Sequence, residues 1–458
     1  MIDPQVKAHL DANRDRHVEE LMKLIGYPSL SASPDHEADS VACAEHIAGY
    51  LRELGLEVEL RPHRTRPVLL ARWPGPVESR RRVMLYGHYD VQPPDPLAEW
   101  ESPPFEPVVR DGAIFGRGAS DDKGQLFALI CAVEAWVKAR GRLPVDVLLF
   151  SEGEEEIGSP GMDNFLAANA GDLAVDDCII CDSDFVAPGV PTITYGLRGL
   201  VYVELTLTGP SADLHSGVHG GAVVNPLTAL AEMVAAMRDD RGRITLPGFY
   251  DDVIELTARE RRAWAELPFD ERAYAEQVGA EPAGGEKDLP LLERRWARPT
   301  LDVHGFVGGH QGAGAKTVIP ARATAKISMR LVADQRPEQI IEGFRRFVSE
   351  HAPAGVRAEV EVLSRARAVL VDPHSPALAA ASAALREAFG AETALVRNGA
   401  SVPITEIFQR ILHVDPVLMG LGLPGDRLHS PNEHFQLEQF HRGALAAASL
   451  LQGLSGLG

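Results

Sequence analysis

Cysteine is scarce in this chain of 458 residues: Cys43, Cys131, Cys178 and Cys181 are all it has. Four scattered thiols exclude a disulfide framework and lead us to expect a reducing compartment. Cys178 and Cys181 form a C-x-x-C, but within the apolar run Cys178-Ile179-Ile180-Cys181 they read as part of a buried strand. Basic charge is also short, with Lys and Arg numbering 45 against 65 Asp and Glu, a net −20. A nucleic-acid backbone or an anionic membrane would be repelled, so neither partner is expected. No stretch approaches the roughly 18 uninterrupted apolar residues of a membrane span. The start Met1-Ile2-Asp3-Pro4-Gln5 lacks the basic and apolar regions of a signal peptide, so a soluble, cytoplasmic protein is expected. What remains is ordinary globular composition, 45% hydrophobic and 24% charged, with 42 Gly and 33 Pro placed without a repeat. An acidic excess also suits a protein that gathers carboxylates around cations.

Apolar spacing predicts helices over 5–25, 36–54 and 121–140, and short strands near 56–60, 67–73, 83–87, 145–150 and 178–181. Helices alternating with apolar strands predict an α/β catalytic domain, its central sheet mostly parallel and flanked by helices, with chemistry at the C-terminal strand ends. From Val201 the texture changes. Residues 201–208, 323–332 and 358–363 alternate like one-sided strands, with helices at 226–238 and 337–351 between them. This reads as an inserted α+β lid or dimerisation domain, carrying a charged helical excursion over about 250–298 that reads as peripheral. After Pro373 the first texture returns, with Ser375, Pro376 and Gly390 framing an Ala-rich helix. The expected division is therefore a catalytic domain made of two chain segments, 1–196 and 368–458, with the insertion 197–367 between them.

Polar residues gather where the strands end. His88 and Asp90 fall on one face of an extended chain, suiting a metal ligand and the carboxylate that orients it, though H-x-D alone also fits a solvated strand end. Gly116 to Gly124 opens a helix with Asp121 and Asp122 at its tip, too acidic for a phosphate loop; helix capping is the plainer alternative. Glu154, Glu155 and Glu156 follow a buried strand, where adjacent carboxylates repel one another without a cation, although acidic runs are often merely solvated. Asp184 closes a fourth strand end, and His429 precedes the terminal helix. Together His88, Asp121, Glu155/Glu156, Asp184 and His429 form a set suited to two divalent ions such as zinc. No G-x-S-x-G, no H-E-x-x-H and no Cys/His pair offers a rival mechanism.

At these residues the chain resembles the aminoacylase/carnosinase family of di-zinc metallopeptidases, and within it the cytosolic dipeptidases. The resemblance runs through Gly87 to Pro93, Trp100 to Pro107, Gly116 to Gly124, Glu155 to Ser159, Asp213 to Gly217 and Gly312 to Pro320. His88, Asp121, Glu156 and Asp184 stand 33, 35 and 28 positions apart in succession, as in that family. Two departures are His310, where related dipeptidases often carry an aromatic, and a looser Asn398-Gly399-Ala400-Ser401 loop.

The resemblance implies a zinc-exopeptidase-like fold and roles for single residues. His88 and Asp184 would hold one ion, Glu156 and His429 the other, and Asp121 would bridge them through a cis Asp121–Asp122 peptide. Asp90 would orient His88, and Glu155 would be the general base. His215 would donate to the oxyanion of a partner subunit's site in a homodimer, and Arg330 would clamp the substrate carboxylate. Zinc is the expected metal, with manganese or cobalt as alternatives. The implied reaction is hydrolysis of dipeptides or short peptides with a free C-terminal carboxylate; N-acyl amino acids are the alternative substrates. A non-catalytic metal-binding scaffold fits less well, since it has no use for Glu155 beside the ligands.

Overall fold

The computed structural model describes residues 1–400 and 402–457. Its larger sheet has nine strands, and its centre is built from Asp146–Glu152, Arg82–His88, Asp177–Ile180 and Pro416–Leu418, hydrogen-bonded side by side and parallel. Both flanks turn antiparallel, through Val68–Arg72 and Glu57–Arg61 on one side and Thr192–Leu197 with Val369–Leu370 on the other. The sheet is thus mixed: its parallel centre is buried, and the ninth strand, Ala394–Asn398, adds one further parallel pairing, to Thr192–Leu197, outside that centre. The helix Lys123–Arg140 is buried from Lys123 to Val137 and ends at Gly141, whose φ of 63° provides the left-handed turn that stops it. The first expected helix is two, Pro4–Ala12 and Arg14–Ile25. Asn13 separates them: its side-chain amide donates to the His9 carbonyl and so competes with the helical ladder.

A second sheet of four antiparallel strands runs Thr300–Gly308, Arg322–Leu331, Gly199–Thr208, Arg357–Ala366. Val201, Val203, Leu205 and Leu207 alternate inward against Ala323, Ala325, Ile327 and Met329, and the helices Pro226–Ala236 and Pro337–His351 cover this core. Thr300–Gly308 is a strand that the apolar pattern does not predict. It is an edge strand with a register irregularity between Val303 and Gly305, and Val303, Phe306 and Val307 stay exposed, so it lacks a one-sided apolar pattern.

The charged excursion is anchored more firmly than its composition suggests. Its helix Ala258–Ala265 starts with a capping box between Thr257 and Glu260. Trp264 and Trp296 meet edge to face and belong to the core of the larger sheet, with Trp264 Nε1 donating to the Leu395 carbonyl at 3.1 Å. All four cysteines are buried and free, and burial pushes the Cys178 and Cys181 thiols up, as inert packing residues require. Among the described residues no helix is long and apolar enough to cross a membrane.

Candidate active site

Three adjacent parallel strands deliver polar side chains to one edge of the larger sheet. Arg82–His88 ends on His88, Asp146–Glu152 runs into Glu155 and Glu156, and Asp177–Ile180 leads to Asp182. Asp121 enters from the turn before the helix Lys123–Arg140, with the Asp121–Asp122 peptide in the cis form. This turn sits close to the strand because residue 87 is glycine: a Cβ there would come within 2.7 Å of Asp122 Oδ2, which accepts the His88 N–H at 3.0 Å.

His88 is fully buried, and its Nδ1 donates to the Asp90 carbonyl at 3.0 Å. A carbonyl only accepts, so in the neutral ring the proton sits on Nδ1 and the Nε2 lone pair faces Asp121 Oδ1 at 3.1 Å and Asp182 Oδ2 at 4.0 Å. A lone pair directed at two carboxylates is a place for a cation. Across Asp121, His429 Nε2 lies 2.8 Å from Asp121 Oδ2 and 3.3 Å from Glu156 Oε2. His88, Asp121 and Asp182 therefore form one group and Asp121, Glu156 and His429 another, each with its ligand atoms within 4.8 Å of one another. Imidazole nitrogens with carboxylate oxygens suit zinc and its divalent neighbours. Glu156 Oε1 fits the same reading, being buried without a hydrogen-bond partner while Gln92 Nε2 holds Oε2 at 2.9 Å.

The site's charges are strongly perturbed. Burial first, then the Asp121 charge, pushes the Asp182 carboxyl up to about 7. Burial also lifts Glu155 well above the carboxylate range, with Asp182, Glu156 and Asp90 adding to it against His88. Hydrogen bonds that His429 donates to Asp121 and Glu156 raise its imidazole to about 10. Such clustering of carboxylates is what a cation relieves.

Asp90 serves three neighbours. Its carboxylate accepts the Glu155 N–H at 3.2 Å and the Glu156 N–H at 3.0 Å, and its Oδ1 lies 3.3 Å from His88 Nδ1. Glu155 stands beside both groups but in neither. His215 and Arg330 lie on the smaller sheet's side of the molecule. His215 is exposed on a short ribbon paired with Val318, while Arg330 is half-buried opposite Leu200 and Thr300. Ser401, in the Gly/Ser loop noted above, lies outside the described residues.

The model of peptidase family M20/M25/M40 matches residues 84–453, which contain every one of these side chains. The chain belongs to that peptidase family. It is 33% identical to the Cys-Gly metallodipeptidase dug1 of Schizosaccharomyces pombe, over 95% of this chain and 94% of the relative. Human beta-Ala-His dipeptidase is 32% identical over 84% of this chain and 77% of its own length. Among solved structures, the M20 metallo-carboxypeptidase Sso-CP2 of Sulfolobus solfataricus superposes with a TM-score of 0.85 at 30% identity, covering 96% of this chain and 99% of the other.

Within this M20 chain one expected residue is displaced. The aspartate at the His88 group is Asp182, and Asp184 is not there. Beyond Cys181 the chain runs alongside Gly422: Phe185 N–H donates to the Gly422 carbonyl at 2.8 Å, and Gly422 N–H to that of Ser183 at 3.1 Å. That pairing carries Asp184 towards Asp426; burial first, then the Asp426 charge, raises the Asp184 carboxyl well above the usual carboxylate range. Gln92 is a contact that sequence reasoning misses, because nothing local marks an amide that reaches a carboxylate 64 positions away.

Proposed function

We propose that this chain is a metal-dependent dipeptidase that hydrolyses dipeptides or short peptides bearing a free C-terminal carboxylate. The observation that carries the proposal is a pair of His/carboxylate groups sharing Asp121, with Glu155 beside them and outside both. His88 and Asp182 would hold one divalent ion, Glu156 and His429 the second, and Asp121 would bridge; zinc suits these donors best, with manganese or cobalt as substitutes. Bound there, two ions would lower the pKa of water from ~15.7 towards ~7 and polarise the scissile carbonyl.

The chain's own residues do the rest. Glu155, its proton affinity raised by burial and by neighbouring carboxylates, takes the proton of the attacking water and later gives it to the leaving amine. Asp90 fixes both the His88 ring and the Glu155–Glu156 turn. Arg330 would hold the substrate carboxylate with its planar fork. The relatives' action on Cys-Gly and beta-Ala-His supports dipeptides over N-acyl amino acids.

We further propose that residues 1–196 and 368–458 form the catalytic domain and 197–367 the insertion. Homodimerisation through the insertion is supported by Val303, Phe306 and Val307, exposed along its edge strand. Four free, buried thiols support a reducing cytoplasm.

The deciding assay sets dipeptides against N-acyl amino acids, each with zinc, manganese or cobalt. Dipeptides should be cleaved with the higher kcat/KM, and chelation should abolish cleavage. Preference for the acyl amino acids would overturn the dipeptidase reading. Two substitutions test the site in detail. Asp182→Ala should lose metal on dialysis while Asp184→Ala keeps it, measured by elemental analysis; the opposite result would restore Asp184 as the ligand. Arg330→Lys should slow cleavage of free-acid dipeptides at least ~10-fold more than that of their C-terminal amides, because Lys offers a point charge in place of a fork. Equal losses on acid and amide would reduce Arg330 to a structural role.

A further inference from the structure

One fully buried carboxylate near the site belongs to neither ligand group. Glu433 follows His429 by four positions, and its side chain is 0% exposed. Its Oε1 accepts the N–H groups of Ser120 and Asp121, both at 3.0 Å. Its Oε2 accepts the Gly118 N–H at 2.9 Å and Arg117 Nη1 at 2.7 Å. Its own carbonyl accepts the Gly116 N–H at 3.1 Å, and the next residue, His434, pairs in register with Phe115. Every polar contact of this carboxylate thus goes to the turn that presents Asp121, while its backbone belongs to the segment that presents His429. Next to it, Asn432 ties the same segment to the 99–101 loop, accepting the Glu101 N–H and donating to the Glu99 carbonyl, both at 2.8 Å.

We infer that Glu433 is a positioning residue, a pin that fixes the Asp121 turn against the His429 segment and so sets the spacing of the two side chains that meet at 2.8 Å. The inference rests on the metal-site reading given above. It is a matter of geometry: three backbone N–H groups converging on one buried carboxylate leave the turn little freedom, because any other placement would strand buried donors and a buried guanidinium. The pin makes the pair of ligands ready before an ion arrives, which is how groups behind a metal ligand raise affinity.

The test is Glu433→Gln. The amide has nearly the same shape, but one of its two ends becomes an NH2 group facing two donors, so at least two of the four bonds are lost. Metal-free protein, confirmed as folded by circular dichroism, would be titrated with zinc against a competing chelator. Glu433→Gln should bind zinc about 10- to 100-fold more weakly. Its cobalt form should show a shifted visible absorption spectrum, and excess zinc should restore turnover. Unchanged zinc affinity and an unchanged cobalt spectrum, with only the melting temperature lowered, would make Glu433 a fold residue and overturn the inference. If the variant does not fold, hydrogen exchange of the metal-free native chain decides instead. The Gly118, Ser120 and Asp121 amides should exchange slowly without metal; fast exchange at all three would mean that no pin exists. Failure of the native chain to bind zinc would defeat the metal-site reading itself, whereas zinc binding unaffected by Glu433→Gln defeats only the pin.

Discussion

Glu155→Gln should leave the chain with its full complement of metal and slow its turnover by ~10² or more. The substitution changes almost nothing except the ability to accept a proton. Gln has the volume of Glu, and the contact that sets the backbone here, residue 155 N–H to Asp90 Oδ1, does not involve the side chain. All five proposed ligands, His88, Asp121, Glu156, Asp182 and His429, remain in place. Glu155 belongs to neither ligand group, so the neutral amide takes no donor away from the metal sites. Elemental analysis and kcat at saturating substrate, measured on the same preparation, separate the two effects. Loss of metal together with activity would turn Glu155 into a ligand, and retained turnover would move the base elsewhere.

The residues that can be read from sequence are those whose meaning is local. His88, Asp121 and Glu156 each follow directly from an apolar strand or open a buried helix, so their places at the sheet edge are marked by their neighbours in the chain. Asp182 and Asp184 cannot be separated in that way. They stand two apart, and alternation alone puts both on one side of an extended chain. The choice is made by the pairing of residues 183–185 with Gly422, a contact that no local pattern encodes. The same reason hides Glu433, which sits in a polar run typical of solvated loops yet is enclosed by the turn it holds. Strand direction is similarly silent, because a short buried apolar strand has the same composition whether it runs parallel or antiparallel; only the structure reveals that the flanks of the large sheet reverse. In the excursion, abundant charge masks two tryptophans whose rings join the catalytic core.

The widest gap between local pattern and proposed chemistry is at His215, and there the expected effect is also large. Its Nδ1 accepts the Gly217 N–H at 2.9 Å, so in the neutral ring the proton sits on Nε2. That makes Nε2 a donor on an exposed ribbon, with no ligand of the metal groups among its hydrogen-bond partners in the described residues. A donor aimed at a developing oxyanion contributes ~10²- to 10³-fold, so His215→Ala should cost that much in kcat. If the donor acts across a two-fold dimer, complementation should follow. His215→Ala and Glu155→Gln homodimers should each turn over poorly, yet mixing and reassociating them should regain activity. In a mixed dimer the chain with native Glu155 receives the native His215 of its partner, which completes one site, while the second site lacks both groups. Equal amounts reassociating at random make about half the dimers mixed, each with one working site of two, so recovery should reach ~25% of native sites by symmetry alone. Mixed dimers verified by mass spectrometry but without recovered activity would mean that His215 serves its own chain or takes no part, and the insertion would then be a lid rather than the means by which two chains complete each other's sites.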